Sequence, residues 1–131
     1  MTHLKFFLRA PALLAMAASF ALTGSALADD LALAQKLATN HCAVCHTFDK
    51  GGPPGQGPNL FGLLGRKAAS ETNFTYSDGF TKAMAGKVWD EPMLDAWLTD
   101  AQSVAPGSAM VYSQDDPAKR QKIISYIKSL Q

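Results

Sequence analysis

Cys42-Ala43-Val44-Cys45-His46 is the stretch on which the reading of this chain turns. Two thiols three residues apart, with an imidazole beside the second, can lie on one side of a single turn of backbone. The sulfurs can then add to the two vinyl groups of haem, which forces His46 beneath the iron; Cys-x-x-Cys-His is the attachment pattern of c-type haem. Three other uses of the same residues compete. A thioredoxin-like dithiol needs a strand before it and a βαβ setting, and no β-alternating run of useful length occurs here. Structural zinc needs a fourth ligand, for which only His41 is left over. A disulfide between Cys42 and Cys45 would be strained and would staple nothing.

Haem iron that carries electrons rather than binding gas takes a ligand on each face. Histidine with methionine is one standard pair, and the thioether favours the ferrous state and raises the potential. The methionines beyond the motif are Met84, Met93 and Met110. Any of them could be a gap-filling core residue. Met110 differs in context, because Pro106-Gly107-Ser108-Ala109 is a turn-rich segment able to swing back over a flat cofactor. Met93 falls in a helix first turn and Met84 lies near Gly86.

Composition bounds the rest. With 131 residues, 47% of them hydrophobic, the chain holds one small domain and is not a disordered polyelectrolyte. A formal charge of +1 lacks the basic excess that phosphate contacts require, so no nucleic-acid partner is expected. Residues 1–28 read as a secretory signal peptide: Lys5 and Arg9 without an acid, an apolar run from Ala12 to Leu22, then Ala26-Leu27-Ala28 as a small-x-small cleavage signal. An uncleaved anchor is the competing reading, but the run falls short of the ~20 residues a bilayer takes. Cleavage after Ala28 leaves a domain of residues 29–131, with ten basic residues against eleven acids and no membrane span. A soluble, exported protein follows, most simply in a bacterial periplasm.

Within that domain the spacing of Leu31, Leu33, Ala34, Leu37 and Ala38 predicts a helix, with Asp29 or Asp30 as its cap. Gly51 to Pro58 cannot hold a helix or central strand. Ala68 to Asp78 reads as irregular. A helix is expected to start around Pro92 and carry Leu94, Trp97 and Leu98 inward, and Ala105-Pro106-Gly107 stops regular structure. Asp116-Pro117 caps a terminal helix with an apolar stripe of Ile123, Tyr126, Ile127 and Leu130. So small a domain, rich in Gly and Pro, needs a staple or a cofactor to complete its core.

Cys42–His46, Gly57-Pro58-Asn59-Leu60-Phe61-Gly62-Leu63-Leu64-Gly65-Arg66-Lys67, Phe74–Asp78, Trp89 and Pro106–Met110 together resemble the soluble class I cytochromes c of bacteria and mitochondria. The ordered blocks span essentially all of residues 29–131, with a short insertion between Tyr76 and Trp89. The resemblance implies an all-α fold of short helices and long loops around one haem c. It implies thioethers at Cys42 and Cys45, with His46 as proximal and Met110 as distal iron ligand. The Pro58 carbonyl would orient His46, and Arg66, Tyr76 and Trp89 would face the haem propionates. Against these roles, Pro58 could be a plain turn proline, Tyr76 and Trp89 core aromatics, and Arg66 a solvated loop cation.

Several positions depart from the family pattern. Ala34 and Ala38 stand where glycine and an aromatic are usual on the first helix, so the missing ring must come from elsewhere. Trp97 occupies the place of a tyrosine that often contacts the methionine sulfur, and an indole N–H donates but cannot accept. Tyr112 replaces a phenylalanine. His41, Gln102, Ser103 and Ala109 sit where mitochondrial members carry lysines, so electrostatic steering toward an acidic partner should be weak. The function implied is one-electron transfer between redox proteins by a monomer that docks briefly, binds no small-molecule substrate and is not an enzyme. A ligand-binding sensor or peroxidase-like protein with a labile methionine, and a permanently docked subunit of a dehydrogenase or oxidase, are the alternatives.

Overall fold

The computed structural model describes residues 21–131, so most of the expected leader lies outside the described residues. Among those described, the helices are α1 (Ala21–Cys42), α2 (Asp78–Ala83), α3 (Glu91–Thr99), α4 (Ala101–Val104) and α5 (Pro117–Ser129). Strands are absent from the described residues; only isolated bridges join Lys67 to Val88 and Asp100 to Ser113. The all-α expectation holds.

Asp29 and Asp30 do not cap α1, contrary to the sequence reading, because the helix is already running at Ala21. Ala- and Leu-rich chain ahead of the two acids propagates a helix readily, and a cap requires the backbone to leave helical geometry. Asp30 instead pairs with Lys122 of α5 at 2.5 Å.

The central packing is α1 against α5. Ala34 and Ala38 are 1% and 0% exposed, and such small side chains let two backbones approach closely. The missing ring is supplied by Phe48, just past His46, which meets Tyr126 edge-on with centroids 5.4 Å apart. α5 begins where Asp116 accepts hydrogen bonds from the N–H groups of Ala118 and Lys119, with Pro117 in its first turn. Its buried face is Ile123, Ile124, Tyr126 and Ile127, with Leu130 half-buried, so Ile124 joins the predicted stripe.

α3 forms as its sequence signals: Asp90 caps the N–H of Met93 at 2.8 Å, and Leu94, Trp97 and Leu98 turn inward. It is tied to α5 by Arg120, whose guanidinium meets Asp95 at 2.9 Å while also donating to the Gln114 carbonyl. α4 is a single turn that ends at Ala105, as the following Pro-Gly requires. α2 was not foreseen; it is six residues long, too short for a periodic pattern, and buries Phe80. Gly51–Pro58 and most of Ala68–Asp78 form no helix.

Two loop contacts position the site. Around the Lys67–Val88 bridge, Trp89 N–H donates to the Arg66 carbonyl and Gly65 N–H to that of Trp89, setting Arg66 and Trp89 side by side. Gly79 of α2 abuts the turn at Pro106-Gly107: a Cβ there would lie 2.4 Å from the Gly107 carbonyl carbon and 2.6 Å from the Pro106 oxygen. Backbone cannot yield as a flexible side chain can. Gly79→Ala is therefore expected to cost about 1–3 kcal/mol, the usual overpacking range, read as a lower urea midpoint.

Candidate functional site

A cavity of about 470 Å³ is lined by residues of both the Cys42–Pro58 and the Ser108–Tyr112 segments. The end of α1 and the turn that follows it deliver the cysteines: the N–H groups of Cys45 and His46 both donate to the Cys42 carbonyl, at 3.1 and 2.9 Å. Cys42 is buried, and burial, followed by the neighbouring Cys45, pushes its thiol up to about 11, so it stays protonated at neutral pH. Cys45 is half-buried, with its sulfur 3.6 Å from the Gln56 side-chain oxygen.

His46 is fixed from behind. Its Nδ1 lies 2.7 Å from the Pro58 carbonyl; that oxygen only accepts, so Nδ1 carries the proton and Nε2 keeps the lone pair. Burial lowers the imidazole pKa, opposed by the Pro58 hydrogen bond, so the neutral, ligating form is favoured. Gly57 runs flat against the ring: a Cβ would sit 2.3 Å from Cε1 and 2.6 Å from Nδ1. The segment is sewn down by Asn59, buried and unforeseen as a structural residue. It donates to Thr47 Oγ1 at 2.8 Å and the Asp49 carbonyl at 3.0 Å, and accepts from Phe61 N–H at 2.8 Å.

Of the three candidate methionines only Met110 lines the cavity. Met84 is 0% exposed within the core, and Met93 packs on that core from its edge. The indole N–H of Trp97 donates to the Met110 sulfur at 3.2 Å, the contact that the position of Trp97 implied. A thioether sulfur has two lone pairs, so one hydrogen bond leaves the other available to a metal.

Arg66, Tyr76 and Trp89 all reach the cavity. Arg66 is also committed elsewhere, pairing with Glu71 at 3.0 Å and donating to the Asn59 carbonyl at 2.7 Å. Burial raises the Tyr76 phenol pKa. Tyr76 stacks on Phe80 at 5.1 Å, and Trp89 and Trp97 cross edge-on at 5.6 Å, so the wall is largely aromatic. At the mouth, the Tyr112 hydroxyl and His41 Nδ1 are hydrogen-bonded at 3.1 Å. Phe80, Leu60, Leu63, Leu98 and Ile127 complete the apolar lining; nothing in their local sequence sets them apart from other core residues.

This donor set fits haem. Two sulfurs, a neutral imidazole with its second nitrogen already engaged, and a thioether facing from another segment suit a covalently attached porphyrin iron. The volume lies within the range of cofactor sites. Among the described residues no three His, Cys, Asp or Glu side chains converge as a metal cluster, which disfavours zinc. A second groove, crossed by the Asp30–Lys122 and Glu91–Lys128 pairs, is charged and offers no such ligands.

A small helical domain around such a cavity, with a Cys-x-x-Cys-His turn and a methionine both lining it, defines a class I c-type haem protein. The chain belongs to the cytochrome c family, whose model matches residues 31–131. It is 41% identical over 90 residues to cytochrome c2 iso-2 of Magnetospirillum fulvum, covering 68% of this chain and 91% of that protein. Cytochrome c2 of Rhodospirillum rubrum is 34% identical over 117 residues, covering 82% and 87% of the two chains. Among solved structures, cytochrome cH from Methylobacterium extorquens superposes with a TM-score of 0.64 at 35% identity, covering 74% of this chain and 96% of its own. The cofactor is thus haem c, and the chemistry it supplies is one-electron transfer between ferric and ferrous iron.

Proposed function

We propose that this protein is a periplasmic one-electron carrier, holding haem c through thioethers at Cys42 and Cys45 with His46 and Met110 as the axial ligands. The observation that carries the reading is the pairing of a cavity-lining imidazole, oriented by Pro58, with the one mature methionine that reaches the same cavity. Arg66, Tyr76 and Trp89 serve the propionates, buried acids that need donors or a counter-charge. Arg66 does so while shared with Glu71. No substrate is turned over: the protein's work is to hold both ligands in place, so that little moves when the electron does. A labile-methionine sensor is less consistent with a sulfur already held by Trp97.

Export is supported by the signal-like residues 1–28 and by a family match that begins at residue 31. No described helix is long and apolar enough to cross a membrane. The working form is a monomer that meets its partners through a small interface, below ~1,200 Å². A reduced-minus-oxidised spectrum of protein purified from periplasm tests the whole reading; a colourless, compact protein of unmodified mass would overturn it.

Charge around the mouth sets a further expectation. Val44 and Val111 are 81% and 84% exposed there, and their neighbours Cys45, Gln56, Ser108, Ala109 and Tyr112 on the cavity lining carry no formal charge. Raising the salt from about 10 to 500 mM should change the electron-transfer rate by less than about threefold, since steep salt dependence needs opposed charged faces. A stopped-flow salt series checks this, and a tenfold loss would mean that docking is charged.

A further inference from the structure

We infer that Gln102 is the positioning residue that keeps the Met110 segment closed over the haem site. The inference rests on Met110 being the distal ligand and concerns what holds it there. Between Ser108 and Tyr112 the chain makes no backbone–backbone hydrogen bond of its own; the flanking ones are Ser108 N–H to the Ala105 carbonyl and Ala101 N–H to the Tyr112 carbonyl. A segment so poor in backbone bonds stays closed only through side chains.

Gln102 supplies most of them. Its amide nitrogen, with two N–H donors, lies within hydrogen-bonding distance of three acceptors, the Ser108 carbonyl at 2.9 Å, Ser108 Oγ at 3.0 Å and the Met110 carbonyl at 2.8 Å, so one N–H is shared. Its oxygen accepts from Gly107 N–H at 3.2 Å. One primary amide therefore spans Gly107 to Met110, and the buried Ser108 hydroxyl closes the network onto the Met110 carbonyl at 3.0 Å. The remaining side-chain holds are single contacts: Ser77 Oγ accepting from Ala109 N–H at 3.1 Å, the Trp97 indole on the sulfur, and the Tyr112 hydroxyl with His41 Nδ1 at the segment's end.

Gln102 is itself anchored. Asp100 caps α4, accepting from the Gln102 N–H at 3.0 Å, and the Asp100–Ser113 bridge ties that turn to the far end of the segment. The clamp thus bears on a frame independent of the cavity. With no Lys, Arg or His from Val88 to Ala118, an opened segment brings no replacement ligand with it. Opening is then visible as capture of an external base.

The test uses ferric holoprotein with imidazole as probe, its affinity expressed for the neutral base. Wild type should show the methionine-to-iron charge-transfer band and bind imidazole weakly. Gln102→Leu keeps most of the bulk and deletes every polar side-chain contact, and should tighten imidazole binding roughly 30-fold, as expected for losing two or so net hydrogen bonds. Gln102→Glu sets a carboxylate against the Ser108 and Met110 carbonyls. It should open the segment at least as far at neutral pH. Unchanged imidazole affinity in both variants, with the band intact in wild type, overturns the clamp alone. Because the same contacts hold the closed native state, urea stability should fall by a comparable amount; a fall in urea stability with imidazole affinity unchanged would make Gln102 a general structural residue. Absence of the band in wild type overturns Met110 ligation and the clamp with it.

Discussion

Exchanging Cys42 and Cys45 together for alanine is expected to abolish holoprotein and, with it, the folded domain. The thioethers are what let a chain this small retain a group as large as haem. Without the cofactor, the aromatic and aliphatic wall of a cavity of about 470 Å³ faces solvent. At ~24 cal/mol per Å³ of cavity, an enclosed space of that size would cost on the order of 10 kcal/mol, and the open mouth makes this an upper bound. Typical domain stability is only ~5–15 kcal/mol, so the fold has little margin to lose its cofactor. Either single variant keeps one bond and should give sharply lower yield. Buried Cys42 should be the worse loss, since its alanine also removes a side chain from the core. Mass spectrometry after denaturation reads the covalent link directly. A stable double variant made in normal yield, with haem, would defeat the covalent reading.

Much of this site could be read from the chain before any coordinates, and the reason is locality. The Cys-x-x-Cys-His unit carries its chemistry within one turn, and α3 and α5 announce themselves through first-turn prolines and apolar spacing, α5 also through its Asp116 cap. What could not be read depends on distant partners. The turn-rich run before Met110 marked it out among the methionines, but that Met84 is fully buried and Met93 packs on the core edge follows only from tertiary packing. Asn59 and Gln102 look like ordinary loop polars, yet each bonds groups that only tertiary folding brings within reach. Phe48 gave no sign that it would replace the ring missing from α1. The start of α1 was misplaced for a related reason, since a cap signal operates only where the helix has not already begun upstream.

Met110→Ala should abolish the methionine-to-iron charge-transfer band, open the ferric iron to imidazole and lower the potential by more than about 0.1 V. The last figure is a modest part of the ~0.8 V that axial ligands command, and its sign follows from losing a thioether that favours the ferrous state. The variant also strips the Trp97 N–H of its acceptor inside an aromatic wall, a penalty of about 1–3 kcal/mol unless water enters. Met84→Ala is the matched control. That side chain is fully buried, so its removal should cost about 2–5 kcal/mol of stability while the band and the imidazole affinity stay as in wild type. The two variants separate ligation from packing, because each effect should move in one protein and not the other. If the band outlives Met110→Ala and disappears with Met84→Ala or Met93→Ala, the sulfur on the iron is a different one, and the Ser108–Tyr112 segment closes the cavity without ligating anything.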